Sequence, residues 1–208
     1  MVDAPTDEQL LAGYLAGGGD GFAELVRRHS RELHQFVVRF TNSAAAADDV
    51  VQEAFLQVHL SAASFDPSRR FKPWLFTIAA NKARDWLRSR SRRSEVPLDA
   101  TISSGSDSQQ SFADLLADDA GPVGEELEDR EQHLRVQQVV AAMPDHLREA
   151  LVLAYFHRFA YRQMAEVLDI PLGTVKSRLH AAVTRFARDY EAALLGRQPA
   201  ENPLEEET

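Results

Sequence analysis

The chain has 208 residues, no cysteine and a formal net charge of −9 at pH 7, and 44% of it is hydrophobic. That composition allows a buried core and excludes a disulfide framework, thiolate metal sites and a thiol redox switch. No apolar run approaches the roughly 20 residues a bilayer span needs, and the acidic opening MVDAPTDEQLL lacks a signal peptide's apolar segment, so a soluble cytoplasmic protein is expected.

The first block, residues 7–93, reads as helical almost throughout. GGGDG at Gly17 to Gly21 breaks one helix, and Asp20 is placed to cap the next. FAELVRRHSRELHQFVVRF then spaces Phe22, Leu25, Val26, His29, Leu33, Phe36, Val37 and Phe40 by three and four residues, the period of an amphipathic helix. In ADDVVQEAFLQVHL, Val50, Val51, Ala54 and Val58 form the buried stripe. Asp49, Gln52 and Glu53 fall at i, i+3 and i+4 and share the opposite face. That face suits docking of a basic partner helix, while a merely solvated face is the better reading of this segment taken alone. FDPSRRFKP is a turn with two prolines, and a fourth helix is expected from Trp74 onward, with Leu75, Ile78, Ala79, Ala83, Trp86 and Leu87 inward.

FKPWLFTIAANKARDWLRSRSRR carries Lys72, Lys82, Arg84, Arg88, Arg90, Arg92 and Arg93 against one acid, Asp85. Cations interleaved with Trp74, Phe76 and Trp86 have the composition of a single-strand binding surface, where charge follows phosphates and aromatic faces stack bases. Some of the aromatics must be core, and Leu75, Phe76 and Trp86 are expected there. Asn81 is suited to hydrogen-bond an extruded base. A basic helix gripping duplex phosphate, or lying on an anionic membrane, is the plainer alternative; the prolines and the spread of charge disfavour the membrane.

From Ser94 to Asp129 there is no Lys or Arg but many acids, among them Asp118, Asp119, Glu125, Glu126, Glu128 and Asp129. Weak patterning there predicts a mobile linker, with SFADLLADD able to form a transient turn or two. The tail adds Glu201, Glu205, Glu206 and Glu207. Acid thus sits in the linker and tail and base in the helical blocks, the footprint of a nucleic-acid binder whose net charge is masked by its connectors.

The second block runs from about Glu125 to Leu195. FAYRQMAEVLDIPLGTVKSRLHAAVTRF has the arithmetic of a helix-turn-helix. Met164, Ala165 and Leu168 line the inner face of its first helix, Asp169 to Leu172 make the turn, and Val175, Leu179, Ala182 and Phe186 line the inner face of the second. Pro171 is tolerated where the opening of a helix needs no internal N–H bond. Thr174, Lys176, Ser177, Arg178 and Arg185 then face outward, near the end of a helix shaped for a major groove.

These elements, in this order, resemble the extracytoplasmic-function sigma factors of bacterial RNA polymerase, of the sigma-70 superfamily, over most of the chain. DEQLLAGYLAGGGDGFAELVRRHSRELHQFV looks like the family's opening helices and DDVVQEAFLQVHL like its polymerase-binding helix. FDPSRRFKPWLFTIAANKARDWLRSRSRR looks like its −10 melting and recognition region, and MPDHLREALVLAYFHRFAYRQMAEVLDIPLGTVKSRLHAAVTRF like its −35-reading domain. The resemblance implies an all-α chain: a sigma domain 2 over residues 7–93, a flexible acidic linker over 94–129, a helix-turn-helix sigma domain 4 over 130–196 and an acidic tail over 197–208. It implies a non-enzymatic initiation factor, with no cofactor, metal or small-molecule substrate, that binds core RNA polymerase and promoter DNA and has an anti-sigma partner, often held at the membrane.

Carried over residue by residue, Asp49, Gln52 and Glu53 would contact the clamp of the polymerase largest subunit. Lys72, Asn81, Lys82, Arg84 and Arg88 would hold the melted non-template strand, and Thr174, Lys176, Ser177, Arg178 and Arg185 would face the −35 duplex. The acidic linker would thread toward the RNA exit path.

Two departures stand out. Ala181, Ala182, Val183 and Thr184 follow KSRLH where the family usually continues with Arg or Lys, so weaker −35 binding and a shallower salt slope are expected. Ala160 stands where a capping Ser or Thr is common, a loss of about 1 kcal/mol. Two rivals predict different behaviour. A polymerase-independent helix-turn-helix regulator would bind duplex alone and leave the Trp-Arg block unexplained. A metal-dependent hydrolase would gather Asp48, Asp49 and Glu53 in a pocket.

Overall fold

The computed structural model describes residues 4–94 and 126–195, and every element among them is helical. The acidic linker with its SFADLLADD segment and the acidic tail lie outside the described residues.

Helix α1 (Asp7–Leu15) opens on a reciprocal cap in which the Gln9 N–H donates to Thr6 Oγ1 at 3.2 Å and the Thr6 N–H donates to Gln9 Oε1 at 2.9 Å. After the glycine run, α2 (Asp20–Thr41) begins one residue earlier than a capping Asp20 would require. Gly19 is its N-cap, and Asp20 is instead the acidic first residue, favourable toward the helix dipole. Gly21 is needed for close approach: a Cβ there would lie 2.3 Å from the Leu10 carbonyl oxygen, so α1 and α2 touch backbone to backbone. Asn42, at φ 54°, ends α2 in the left-handed region, and the Ser43 hydroxyl caps α3 (Ala44–Ser61) by accepting from the Ala46 N–H.

Helix α4 (Phe71–Ser94) starts three residues before the expected Trp74. Pro73 stands third in the helix, where its missing N–H has no internal partner to lose. The Phe71 N–H donates instead to the Glu8 carboxylate at 3.0 Å, a long-range cap that local sequence cannot display. Helices α1 to α4 enclose a core that includes Leu11, Leu25, Leu33, Phe36, Phe40, Val50, Ala54, Val58, Leu75, Phe76, Ala79 and Ala83, all buried.

The second unit comprises α5 (Glu126–Ala141), α6 (Asp145–Leu151) continued by a π-helical turn (Val152–Phe156), α7 (Tyr161–Leu168) and α8 (Leu172–Leu194). Asp169 at φ 52° makes the turn between α7 and α8, and Pro171, as N-cap, accepts the Val175 N–H at 3.1 Å. Ala160 caps α7 without a side-chain acceptor, but its own N–H donates to Gln163 Oε1 at 3.0 Å, so half of a capping box survives.

The two units are not merely tethered. Their buried residues form one continuous apolar cluster. Phe159 meets Phe76 edge-on at 4.9 Å, and the buried His157 ring lies between Phe36 and Phe76. Arg148, also buried, donates to the Phe40 carbonyl of the first unit at 2.7 Å and to Ala141 and Met143 carbonyls of its own unit. Apolar rings and one fully bonded guanidinium thus close α4 and α2 onto the second unit.

Candidate nucleic-acid interface

Three surfaces carry the residues singled out in the sequence. On α3, Val50, Ala54 and Val58 are buried, which turns Asp49, Gln52 and Glu53 to solvent. Glu53 Oε2 accepts from Lys82 at 2.9 Å, while Asp48 faces His34 at 3.1 Å. The carboxylates therefore point to separate basic partners, and the pocket required by a hydrolase is not formed from Asp48, Asp49 and Glu53. The same exposed stripe continues into Leu56 and Leu60, which are 56% and 70% exposed. Sequence reasoning missed these two leucines. Their signal was there: 49, 52, 53, 56 and 60 continue one helical face, and an exposed apolar pair on such a face points to a partner.

On α4 the expected strand-holding residues divide. Asn81 and Arg88 are exposed, whereas Lys72, Lys82 and Arg84 are half-buried and each meets an acid. Lys72 Nζ donates to Glu32 at 2.6 Å and lies 5.3 Å from the Phe159 ring centroid. Burial opposes ionisation of Glu32, but hydrogen bonds from His157 and Lys72 outweigh it and hold its pKa down at about 2. Arg88 pairs with Asp85 at 2.6 Å.

Arg84 donates from Nη1 to Asn81 Oδ1 at 2.5 Å and reaches Glu149 of the second unit at 2.9 Å. Glu149 is 2% exposed; burial pushes its carboxyl up, and the Arg84 guanidinium pulls it partly back. Of the aromatics, Phe76 is core and Trp74 packs on Phe65 at 4.8 Å, so neither ring is free to stack a base. Trp86 is half-buried with Arg90 5.5 Å over its ring, an aromatic–cation pair on α4.

On α8, Val175, Leu179 and Ala182 are buried as the helix-turn-helix arithmetic requires, and Lys176 and Ser177 are exposed. Thr174 is half-exposed, and its carbonyl accepts the Ser177 hydroxyl at 3.1 Å. Arg178 is half-exposed and lines a groove of about 560 Å³ with Arg84, Arg88, Asp145 and Glu149. Arg185 departs from the expected outward row: it is held by Asp189 one turn on, which is 1% exposed and also receives Arg188 at 3.0 Å. A buried carboxylate at i+4 draws the guanidinium along the helix and away from solvent.

The comparisons with known proteins follow the same division. Residues 25–93 match the family model for Sigma-70 region 2, and residues 133–186 that for Sigma-70, region 4. The chain is 32% identical to the ECF RNA polymerase sigma factor SigW of Bacillus subtilis, over 79% of this chain and 86% of that protein. It is 32% identical to the RNA polymerase sigma-H factor of Pseudomonas aeruginosa, over 88% and 92%. It is similar in structure to CnrH in complex with the cytosolic domain of CnrY, with a TM-score of 0.62 and 25% identity over 91% of this chain and 97% of that chain. Two sigma-70 regions in order, on the two helical units described above, place the chain: it belongs to the extracytoplasmic-function family of RNA polymerase sigma factors.

Proposed function

We propose that this sigma factor divides promoter initiation among the three surfaces residue by residue. The α3 stripe of Asp49, Gln52 and Glu53, extended by Leu56 and Leu60, docks core RNA polymerase. Asn81, Lys82, Arg84 and Arg88, with Lys72 at the foot of α4, hold the melted −10 strand. Thr174, Lys176, Ser177 and Arg178 face the −35 duplex, and Arg185 steadies α8 through Asp189. Domain 2 then spans residues 7–93 and domain 4 residues 130–196, and the factor works in the cytoplasm with an anti-sigma partner.

The observation that carries this reading is the acid-and-leucine stripe on α3. Asp49 and the two leucines are exposed and not needed by the core, and they stand on the helix next to the basic one. Charge there complements a basic helix, and the leucines supply the apolar contact that charge alone lacks. The test is the affinity of labelled protein for purified core polymerase by fluorescence anisotropy. Asp49→Ala with Glu53→Ala weakens it by about tenfold or more, which is about 1.4 kcal/mol. Lys176→Ala leaves it unchanged. Equal affinity of the double variant and the wild type overturns the assignment of α3.

A further inference from the structure

Asn81 and Arg84 stand three residues apart on α4, the spacing at which helical side chains meet. Arg84 Nη1 donates to Asn81 Oδ1 at 2.5 Å. The other edge of the guanidinium is held as well: Nε donates to the Glu149 carboxylate oxygens at 3.1 and 3.2 Å, and Nη2 lies 2.9 Å from the nearer one. A carboxamide is nearly symmetric in shape, so its partner decides which end faces which way. A guanidinium offers donors only. Turning the Asn81 amide over would set its amino group against Nη1, two donors face to face. Oδ1 is therefore the end bound to Arg84, and the Nδ2 amino group is the end left outward. Asn81 is exposed, and among the described residues Nδ2 has no hydrogen-bond partner.

We infer that Arg84 is a positioning residue that sets specificity: it locks Asn81 with its amino group toward the melted strand, so that the base met there is one with an edge of acceptors. The inference rests on the assignment of Asn81 to the strand-holding face and names the base that this face selects. An extruded base is read on its Watson–Crick edge. Cytosine alone carries two adjacent acceptors there, N3 and O2. Thymine and guanine each set a ring N–H beside their acceptors. Adenine sets its amino group beside N1, and an asparagine that matches adenine uses its carbonyl oxygen as well as its amino group. In this chain that oxygen is engaged, and the Arg84 charge beside it repels an incoming amino group. The lock is internal to α4, so spacing keeps Arg84 beside Asn81 when Glu149 is elsewhere. Arg84 thus acts on the strand through Asn81.

The test uses the full chain bound to purified core polymerase and a pool of single-stranded oligodeoxynucleotides with a randomised segment, the retained strands being sequenced. The wild type enriches cytosine over adenine by about tenfold at one position, the order of discrimination that a good side-chain match to a base gives. Arg84→Leu frees the carboxamide to turn, brings the two bases near parity at that position and leaves the preferences elsewhere as in the wild type. Asn81→Asp, a change of nearly equal shape that puts an oxygen in place of the amino group, abolishes the cytosine enrichment at the same position. An Arg84 that only grips phosphate or only supports the fold gives another result: Arg84→Leu retains all strands less well, with the base preference intact. That result overturns the inference. Cytosine enrichment that survives in Asn81→Asp overturns it too, as does a wild type that initiates normally without preferring cytosine to adenine at any position. A wild type that neither binds core polymerase nor initiates sinks the sigma reading and the inference with it.

Discussion

Arg148, Gly21 and His157 show how single residues hold the closed molecule together. Arg148 is 5% exposed and gives its donors to three carbonyls, one of them across the units. Burial pulls its pKa down, and Asp145 partly offsets this. Arg148→Ala leaves buried acceptors without donors, and a loss of about 3 kcal/mol is expected in urea denaturation. Gly21→Ala sets a Cβ against the Leu10 carbonyl, which belongs to backbone that cannot turn aside. It should cost about 1–3 kcal/mol by the same measurement.

His157 is buried, with Glu32 3.3 Å from Nδ1 and no partner at Nε2, and Arg39 and Lys72 also act on it. Burial lowers its pKa, although Glu32 pulls the other way. A histidine held neutral contributes stability above its ordinary pKa and loses it as the unfolded chain takes up a proton. Glu32 acts in the same direction at lower pH: its pKa of about 2 gives stability that is lost as pH falls from the ordinary carboxylate range toward that value. Glu149 has the opposite sign, because its raised pKa favours the folded form as pH falls. Melting temperature measured from about pH 7.5 to about pH 5.5 should therefore fall more steeply in the wild type than in His157→Phe, which lacks the titrating ring.

At the scale of elements, much of the molecule is legible because its signals are local. The three- and four-residue spacing of Leu25, Leu33, Phe36, Val37 and Phe40 gives α2, and Met164, Leu168, Val175 and Leu179 give the helix pair with its short turn. The polar faces of α3 and α8 follow from the same period, so Asp49, Gln52, Glu53, Lys176 and Ser177 stand exposed as their spacing requires. What is not legible depends on partners distant in sequence. Glu8 caps α4 across 63 residues, Arg84 meets Glu149 across 65, and nothing in the surrounding motifs marks either pair. Phe76 is core as expected, whereas Trp74 is half-buried against Phe65, a contact between residues nine apart that composition alone does not state.

Arg185 was expected in the outward row, and spacing alone did not reveal that Asp189, one turn later, would be buried and paired with it. The difference is measurable. Arg185→Ala should destabilise the fold, because it leaves the buried Asp189 with Arg188 alone, while barely changing the salt dependence of duplex binding. Lys176→Ala should do the reverse, weakening duplex binding and lowering the salt slope by about 1 with the melting temperature unchanged.

At the scale of the whole molecule, charge is sorted to match the task. Base is densest on α4, and among the described residues the bases of α4 and α8 meet Glu32, Glu53 and Glu149 on other helices and Asp85 and Asp189 on their own. Two small helical units would have little reason to share a core if each acted only on its own piece of DNA. Instead, Phe36, Phe76, His157 and Phe159 join them into one cluster. The proposed division of labour among surfaces makes one account, in which α3 presents its exposed stripe for docking.

The measurement that tests that account most directly is run-off transcription with purified core polymerase on a library of promoter fragments. The wild type should initiate at a defined subset, and Asp49→Ala with Glu53→Ala should abolish initiation while keeping the wild-type melting temperature. No initiation by the wild type, with the protein alone still shifting duplex DNA, would contradict the account and make the chain a regulator that works without polymerase.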